Sequence, residues 1–258
     1  MRLLVTGGRT GYLGRHVVAA ASEHEVIAVG SADADLRAPF AVEAMIAQHR
    51  PDAIVHTAYV QSDWHVTATG AAHVATAAAR QGARLVLVSS DVVFSGADGL
   101  YAESAPPDPI TAYGAAKAAA ETVALAVCSD AVVARTSLLL GDGASQHETL
   151  VHALAAGAEG ALFDDEQRCP VHVADLAAAL VELAGNDYQG VLHVAGAEAM
   201  SRLELGRLIA RRDGLDGASL RGTSRAAAGV AGPVDVRLDS RLAAQVLTTR
   251  LRGAMEFL

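Results

Sequence analysis

The sequence predicts an α/β fold in which helices cover both faces of a doubly wound parallel sheet, followed by a smaller C-terminal lobe. Short apolar runs alternate with alanine-rich, helix-length segments, an order typical of parallel sheets. Hydrophobic residues make up 52% of the 258 residues, enough for a sizeable core. Because parallel neighbours are joined by right-handed crossovers, the carboxyl ends of the strands should line a ligand crevice. The runs predicted as strands are Leu3–Thr6, Val26–Gly30, Ala53–His56, Leu85–Ser89 and Ala131–Arg135.

Proline and glycine residues mark the ends of the predicted helices. Pro39 should begin one helix, because proline is favoured at the first helical position. A second helix should end at Gly82, and a third should begin at Asp175 and end at Gly185. The stretch 95–109 is rich in glycine and proline, which predicts a long surface loop that leads into the next helix.

Composition and charge argue against several classes of function. The net charge is −9 without a basic stripe, so nucleic-acid binding is not expected. No apolar run reaches membrane length and none resembles a signal peptide, which predicts a soluble protein. Cys128 and Cys169 lack metal or redox spacing, so we expect a reducing cytoplasm. The ten histidines are scattered, and pairs such as His147 and His152 have poor spacing for a shared metal, so none is expected.

A glycine-rich turn follows the first strand directly. Gly8, Gly11 and Gly14 share a Gly-x-x-Gly-x-x-Gly spacing. Such glycines let the backbone approach a pyrophosphate, while the next helix offers N–H donors and the positive end of its dipole. This position indicates a Rossmann-type dinucleotide site, although an ordinary strand-to-helix turn is the alternative. The predicted cofactor contacts in the turn are Gly8, Arg9, Thr10, Gly11, Tyr12 and Leu13.

The end of the second strand bears on the choice of dinucleotide. A site that prefers NAD usually places a carboxylate there to bind the ribose hydroxyls, and none follows directly. Ser31 can donate to a 2′-phosphate and Arg9 can pair with it, which favours NADP(H) over NAD(H). Asp33 would fill the acidic role if the strand ran longer. Asp35 and Leu36 are placed to meet the adenine, with a solvated loop as the alternative for Asp35.

A tyrosine and a lysine lie four residues apart, which on a helix places them on one face. The pair Tyr113 and Lys117 suggests an acid/base site, because a nearby ammonium lowers the pKa of a phenol. A half-buried tyrosine beside a lysine that reaches out to solvent is the alternative. Ser90 ends the fourth predicted strand and is a candidate hydrogen-bond donor to a carbonyl oxygen; capping of a turn is its alternative role.

Taken together, the ordered motifs resemble the extended short-chain dehydrogenase/reductase family, and within it dTDP-4-dehydrorhamnose reductases. The N-terminal motifs are Gly8-x-x-Gly11-x-x-Gly14, Ser89-Ser-Asp-Val-Val-Phe-Ser-Gly96, Tyr101-x-Glu103, Pro109-x-x-x-Tyr113-Gly-x-x-Lys117 and Arg135-Thr-Ser137. The C-terminal motifs, similar to that family's substrate lobe, are Phe163-Asp-Asp165, Arg168-Cys-Pro170, Val173-Ala-Asp175 and Gly190-Val-Leu-His193. The resemblance therefore spans nearly the whole chain.

The resemblance implies a role for each matching residue. Tyr113 would be the general acid, Lys117 its pKa-lowering partner and a ribose ligand, and Ser90 the second donor to the carbonyl. Hydride would come from the nicotinamide ring of NADPH. The resemblance adds Thr57, Ala58 and Tyr59 to the cofactor site, and Asp91, Val92 and Arg168 to the substrate site. Arg168 would hold a diphosphate, a task suited to a forked guanidinium, whereas a surface arginine in a loop is its alternative.

Three positions depart from the pattern of the rhamnose reductases. Val92 stands where they carry tyrosine, so one sugar contact is missing. The third strand continues as His56-Thr-Ala-Tyr59 in place of Asn-Ala-Ala, and Thr67 stands where many members have an asparagine in a proton relay. These substitutions leave the identity of the substrate open.

Two domains are expected from this organisation. Residues 1–145 should form the dinucleotide-binding domain and residues 146–258 the smaller substrate-binding lobe. Within the lobe, the segment at about 186–196 should return to the main sheet, because Gly190–Ala195 looks like one more buried strand. No helix shows a sustained heptad seam, so we expect at most a modest homodimer formed through helices.

The sequence thus predicts an NAD(P)H-dependent reductase of a keto group on a nucleotide-activated deoxysugar. Two alternatives remain open at this stage. The chain would be a regulatory subunit that binds NADP without catalysis, as the regulatory subunit of methionine adenosyltransferase resembles these reductases. Otherwise it would be a nucleotide-sugar epimerase or dehydratase of the same fold, in which the nicotinamide is recycled.

Overall fold

The computed structural model describes all residues from 1 to 258, and its elements follow the alternating order expected from the sequence. The first half contains β1 (Arg2–Thr6), α1 (Tyr12–Ala20), β2 (Glu25–Val29), α2 (Pro39–His49), β3 (Ala53–His56), α3 (Gly70–Gln81), β4 (Arg84–Ser90), β5 (Gly99–Tyr101), α4 (Ala112–Val127) and β6 (Ala131–Thr136). The second half contains β7 (Leu139–Leu140), α5 (Gln146–Ala155), β8 (Leu162–Phe163), β9 (Gln167–Arg168), β10 (Val171–His172), α6 (Val173–Gly185), β11 (Gly190–His193), β12 (Met200–Ser201), α7 (Arg202–Arg212), β13 (Gly222–Thr223), α8 (Arg225–Ala228), β14 (Val236–Leu238), α9 (Ala243–Val246) and α10 (Ala254–Phe257).

The main sheet consists of six parallel strands in the order β11-β6-β4-β3-β1-β2. Each coincides with an apolar run, and its ends differ from the expected ends by one or two residues at most. The chain leaves β1 toward β2 on one side and returns as β3 on the other, so the strand order reverses between β1 and β3. A ligand crevice forms at such a reversal. The α/β fold class with a parallel Rossmann-type sheet is confirmed.

Alternate residues of the inner strands serve two separate cores. Leu3 and Val5 of β1 lie in the core beneath α1 and α6, whereas Leu4 lies in the core beneath α2, α3 and α4. All three side chains are fully buried. Side chains of a strand alternate between faces, so a strand covered by helices on both sides must be apolar at every position. This is why β1 reads as a continuous apolar run.

The C-terminal part of the chain builds a smaller apolar core and also returns twice to the main sheet. Residues such as Val151, Leu162 and Ile209 form the smaller core between α5, α7 and β8. The helix α6 packs against α1, and β11 pairs with β6 at the edge of the main sheet. The elements after residue 145 therefore do not all lie in one lobe.

The stretch 95–109 is not only a surface loop, which corrects the sequence-based expectation. It contains the short strand β5, which pairs with β14 from the far end of the chain. Tyr101 is buried; its ring stacks on Phe94 with centroids 4.0 Å apart, and its hydroxyl accepts the N–H groups of Gly96 and Asp98. One aromatic residue surrounded by glycine and proline gives no periodic signal, so only the long-range partner reveals this strand.

The helix expected to start at Asp175 begins two residues earlier, at Val173. His172 precedes it as the N-cap, and its Nδ1 accepts the N–H of Ala174 at 3.2 Å. Asp175 instead lies in the first turn, where it pairs with Arg252. Acidic residues are favoured in a first turn as well as at the cap, so the carboxylate alone did not fix the boundary. The other expected ends, at Pro39, Gly82 and Gly185, agree with the structure.

A buried ion pair ties helix α4 to strand β6 below the crevice. Both oxygens of Glu121 accept from Arg135, with Oε2 at 2.7 Å from Nη2, and Glu121 also accepts from the hydroxyl of Ser89. The side chains of Glu121 and Arg135 are each 3% exposed. Arg135 further stacks on Phe94, with its guanidinium carbon 4.9 Å from the ring centre.

Removing the charge of Glu121 should destabilise the protein strongly. Glu121→Gln leaves a buried guanidinium without its counter-charge, and we expect the free energy of unfolding to fall by about 3–5 kcal/mol. Glu43→Gln is the matched control, because Glu43 pairs with Arg80 at the surface, where such pairs contribute less than about 1 kcal/mol. Urea denaturation of the two variants measures the difference, and equal losses would contradict a structural role for the buried pair.

Candidate active site

A cavity of about 750 Å³ opens at the carboxyl ends of the main-sheet strands, at the reversal between β1 and β3. Nearly all of the residues singled out from the sequence line it. They are Thr10, Gly11, Tyr12, Leu13, Ser31, Asp35, Leu36, Thr57, Ala58, Tyr59, Ser90, Asp91, Val92, Tyr113, Lys117 and Arg168. Gly8 and Arg9 are the two that do not.

The turn after β1 is closed by glycines that leave no room for side chains. The N–H of Gly11 donates to the carbonyl of Gly7 at 2.9 Å, and a Cβ at Gly14 would lie 2.2 Å from the same oxygen. Gly7 has a φ of +71° and lines the cavity. Gly8 instead faces the fold: its N–H donates to Val5 and Val29 carbonyls. This backbone cradle, with the start of α1 beside it, fits a pyrophosphate.

Gly7 was missed in the sequence because it adjoins Gly8. Only Gly8 has the Gly-x-x-Gly spacing to Gly11 and Gly14, because Gly7 lies four residues before Gly11. Only the backbone conformation shows that Gly7 takes the left-handed region at the mouth of the turn.

Beyond the second strand, two ion pairs form at the surface. Arg9 donates to Asp33 at 2.6 Å and to the carbonyl of Ala28, and Asp33 also accepts the N–H of Gly30 at 2.8 Å. Asp35 binds Arg37 through both oxygens, and these hydrogen bonds lower the pKa of Asp35 to about 2. Asp33 is therefore engaged by protein donors and does not line the cavity.

Tyr113 and Lys117 lie on one face of α4, as their spacing predicts. The ammonium of Lys117 donates to the carbonyl of Val88 at 2.9 Å and lies 4.9 Å from the ring centre of Tyr59 and 5.9 Å from that of Tyr113. Lys117 is 5% exposed, so it does not reach out to solvent. Burial lowers the pKa of Lys117 to about 8.

The expectation that Lys117 lowers the pKa of Tyr113 is wrong in this structure. Burial raises the pKa of the Tyr113 phenol above its usual value, and Tyr59 and Asp91 raise it further. The lysine is turned toward Val88, so the removal of the phenol from water outweighs its attraction. A phenol that keeps its proton at neutral pH is the form that a general acid requires.

Ser90 stands at the end of β4 and is held by a carboxylate. Its hydroxyl donates to Asp91 Oδ1 at 3.1 Å and accepts the N–H of Val92 at 3.4 Å. The other oxygen of Asp91 accepts from the hydroxyl of Ser137 at 2.6 Å and lies 3.4 Å from Nε of Arg168. Ser90 therefore caps the short turn that follows it and also lines the cavity, so its two interpretations are compatible.

Arg168 is not a surface arginine in a loop, which removes that alternative. It is 1% exposed, and its terminal nitrogens donate to the carbonyls of Gln167, Pro233 and Val234. Its guanidinium thus joins the strand β9 to the segment before β14 and borders Asp91.

Comparison with known proteins places these features in a family. The profile described as "RmlD substrate binding domain" matches residues 1–254. The chain belongs to this family. The dTDP-4-dehydrorhamnose reductase of Mycobacterium tuberculosis strain H37Rv is 35% identical over 245 residues, which cover 87% of this chain and 80% of the relative. The resemblance stated from the sequence motifs is confirmed.

Further likenesses extend over most of this RmlD-family chain. "Methionine adenosyltransferase 2 subunit beta" of Xenopus laevis is 30% identical over 249 residues, covering 85% of this chain and 74% of the relative. A crystal structure of dTDP-4-dehydrorhamnose reductase from Bacillus anthracis, in complex with NADP, has a TM-score of 0.89 at 24% identity and covers 99% of this chain and 96% of that one. At 24% identity, the likeness to the crystal structure shows that the fold is shared.

Of the positions that depart from the rhamnose-reductase pattern, Val92 lines the cavity, whereas Thr67 and His56 are buried and do not line it. Thr67 exchanges hydrogen bonds with the backbone of Val60, donating to the carbonyl at 2.8 Å and accepting the N–H at 3.2 Å. His56 is buried beneath, with Nδ1 2.7 Å from the hydroxyl of Thr6, and burial lowers its pKa to about 3. Val92 is half-buried and lines the cavity, where it offers no hydroxyl.

Two cavity residues of the C-terminal part carry no sequence signal. His147 and Arg202 line the cavity and contact one another, with Arg202 Nη1 2.8 Å from His147 Nδ1. They are 55 residues apart in the chain and belong to no motif. No group of three or more His, Cys, Asp or Glu side chains is arranged to hold a metal ion, and none of the helices has both the length and the apolar character needed to cross a bilayer.

The lowered pKa of Lys117 should set the alkaline limit of activity. The pH dependence of kcat/KM reports the pKa values of ionisable groups in the free protein. We therefore expect kcat/KM to fall as pH rises through about 8, where the ammonium loses its proton. Tyr113, with its raised pKa, keeps its proton over this range. Lys117→Arg retains the charge and should remove the fall, whereas the same alkaline limb in this variant would contradict the assignment.

The free energy of unfolding, measured without substrate, should also depend on the titration of Lys117. The folded protein binds the Lys117 proton less tightly than the unfolded chain, so the free energy of unfolding should rise with pH between about 8 and the ordinary lysine pKa of 10.5. Below pH 8 both states are protonated and this contribution is constant. This rise should be absent from the curve of unfolding free energy against pH of Lys117→Met, which has no ammonium at this position.

Proposed function

We propose that this chain is an NADPH-dependent reductase of a keto group on a nucleotide-activated deoxysugar. One observation carries the proposal: Ser90, Tyr113 and Lys117 line the same cavity as the glycine turn after β1. The relative of Mycobacterium tuberculosis, named dTDP-4-dehydrorhamnose reductase, supports the substrate class. The substrate is thus a small molecule, and the cavity is large enough for a cofactor and part of a sugar nucleotide.

The chain's own residues supply the binding and the proton. The glycine turn and the start of α1 would hold the pyrophosphate of NADPH, whose nicotinamide supplies a hydride when bound. Tyr113 would give its phenolic proton to the ketone oxygen as negative charge develops there. Ser90 would donate a second hydrogen bond once its hydroxyl turns from Asp91, and the ammonium of Lys117 would stabilise the phenolate that remains.

Asp91 and Arg168 are best described as supports for Ser90. Both oxygens of Asp91 already accept hydrogen bonds, and Arg168 is bound by backbone carbonyls. We retain direct substrate contact as a proposal for Val92, which faces the cavity. On the same grounds we propose that residues 1–145 hold the cofactor, while part of 146–258 shapes the substrate side.

Net consumption of NADPH tests the proposal directly. The purified chain, given a dTDP-4-keto-6-deoxysugar, should oxidise one NADPH for each alcohol formed. An epimerase or dehydratase would convert the sugar without net loss of NADPH, because its nicotinamide is recycled. A regulatory subunit, the role suggested by the likeness to a methionine adenosyltransferase subunit, would bind NADPH without converting any such sugar.

Preference for NADPH over NADH should depend on Arg9. Its side chain is 55% exposed and lies next to Gly30, and its pairing with Asp33 neutralises the carboxylate that could otherwise bind ribose hydroxyls. We expect Arg9→Ala to weaken NADPH binding by about 10- to 100-fold and to leave NADH binding nearly unchanged. Fluorescence titration with both dinucleotides measures this, and equal weakening of the two would contradict recognition of the 2′-phosphate.

A further inference from the structure

Three guanidinium groups meet a single buried carboxylate on the side of the cavity built by the C-terminal part. Glu166 is 1% exposed; Nε of Arg202 lies 2.7 Å and Nη2 of Arg168 3.4 Å from its Oε1, while Arg225 pairs with its other oxygen. Asp91 adds a second carboxylate beside Arg168. Three guanidinium groups thus form ion pairs with two carboxylates, while Asp165 accepts only the backbone N–H of Arg225.

Arg202 is the member of this cluster that keeps a donor free for a ligand. Its Nε donates to Glu166 and its Nη1 to His147, but Nη2 has no protein partner and is not among the fully buried polar atoms. The side chain lines the cavity and is 22% exposed. In Arg168, by contrast, both terminal nitrogens are engaged by backbone carbonyls.

The contact with Arg202 also fixes the proton of His147. Arginine can only donate, so Nδ1, the nearer ring nitrogen at 2.8 Å, accepts, and the neutral ring carries its proton on Nε2, which lies 3.5 Å from the same Nη1. Burial, together with Arg202, lowers the pKa of His147 to about 3, so the ring stays neutral at physiological pH. His147 is the second residue of α5, where backbone N–H groups have no acceptor within the helix.

We propose that Arg202, with His147 and the start of α5, binds the diphosphate of the sugar nucleotide. The inference rests on the proposed function and names the group that recognises its substrate. A guanidinium pinned by Glu166 and His147 presents its remaining N–H groups in a fixed direction, which suits phosphate oxygens. The anion-binding role expected for Arg168 thereby passes to Arg202, and Arg168 supports Asp91.

Calorimetric titration of the NADP-saturated protein with dTDP and with thymidine tests this subsite. Arg202→Gln should weaken dTDP binding by about 10- to 100-fold and leave thymidine binding unchanged, because only dTDP carries the diphosphate. Arg207→Gln is the matched control: Arg207 lies exposed on the same helix without an ion pair, and this variant should bind both ligands as the parent does. Equal affinity of Arg202→Gln and the parent for dTDP would overturn the proposal.

Two further measurements distinguish failure of the subsite from misfolding of the variant and from failure of the proposed reductase activity. If Arg202→Gln does not fold, Arg202→Lys keeps the charge without the fork and should still lose several-fold in dTDP affinity; full affinity in that variant also overturns the subsite. If the parent reduces a dTDP-ketosugar and Arg202→Gln keeps the same KM, the subsite is wrong while the reductase stands. Weakened dTDP binding in a parent that consumes no NADPH supports the subsite and contradicts the reductase.

Discussion

Tyr113→Phe should lower kcat for ketosugar reduction by about 10²- to 10⁴-fold, the contribution expected of a positioned general acid. The ring should stay in place, since phenylalanine keeps the tilted contact with Tyr59, whose ring centre lies 5.6 Å away. Affinity for NADPH and KM for the sugar should therefore change little. Steady-state kinetics with NADPH titration separates the two effects.

The matched control for this variant is Tyr188→Phe. The hydroxyl of Tyr188 donates to the carbonyl of Val191 at 2.7 Å, and Tyr188 does not line the cavity. Its loss should cost some stability and leave kcat unchanged. Turnover of Tyr113→Phe within a few-fold of the parent would remove the phenol from the mechanism, whatever the effect on binding.

Gly14→Ala should abolish most cofactor binding. An added Cβ would lie 2.2 Å from the carbonyl oxygen of Gly7 and 2.9 Å from the N–H nitrogen of Gly8, both backbone atoms that cannot move aside alone. The turn would have to open and its N–H groups would no longer meet the pyrophosphate, so we expect NADPH affinity to fall by about 100-fold, the loss of one or two hydrogen bonds to a charged group. The free energy of unfolding should fall by about 1–3 kcal/mol from overpacking.

Gly185→Ala provides the comparison for a glycine without such a constraint. It ends α6, and the nearest atom to an added Cβ is Met1 Cε at 3.9 Å, an ordinary contact. Fluorescence titration and urea denaturation should find both NADPH affinity and stability close to those of the parent. Unaltered NADPH affinity in Gly14→Ala would show that the turn does not hold the cofactor.

The pattern of apolar residues was sufficient for the main sheet, because its strands are buried on both faces. Every position of β1 and β3 from Leu3 and Ala53 onward is shielded, so the runs are continuous and their ends are sharp. The short strands of the C-terminal part have two or three residues each, too few for any periodicity. β5 also has only three residues, and its partner β14 lies more than a hundred residues away along the chain, so neither periodicity nor a neighbouring strand indicated it.

The motifs likewise located the residues that follow main-sheet strands but not their electrostatics. Spacing placed Tyr113 and Lys117 on one helical face, and strand order brought Ser90 to the same crevice. Spacing could not show that the ammonium turns to Val88, which is why the expected shift in the Tyr113 pKa had the wrong sign. Desolvation depends on everything packed around a group, and that information is absent from a local motif.

By itself, the sequence determined the α/β fold, the order of its parallel strands along the chain and the helical pairing of phenol and ammonium, since each follows from periodicities within a few residues. The tertiary structure alone decided that Gly7 faces the cavity, that Arg168 is enclosed by backbone carbonyls and that Arg202 meets His147 with one nitrogen free. These outcomes depend on which distant groups satisfy a buried donor, and hydrogen bonds across 55 or more residues leave no trace in local spacing.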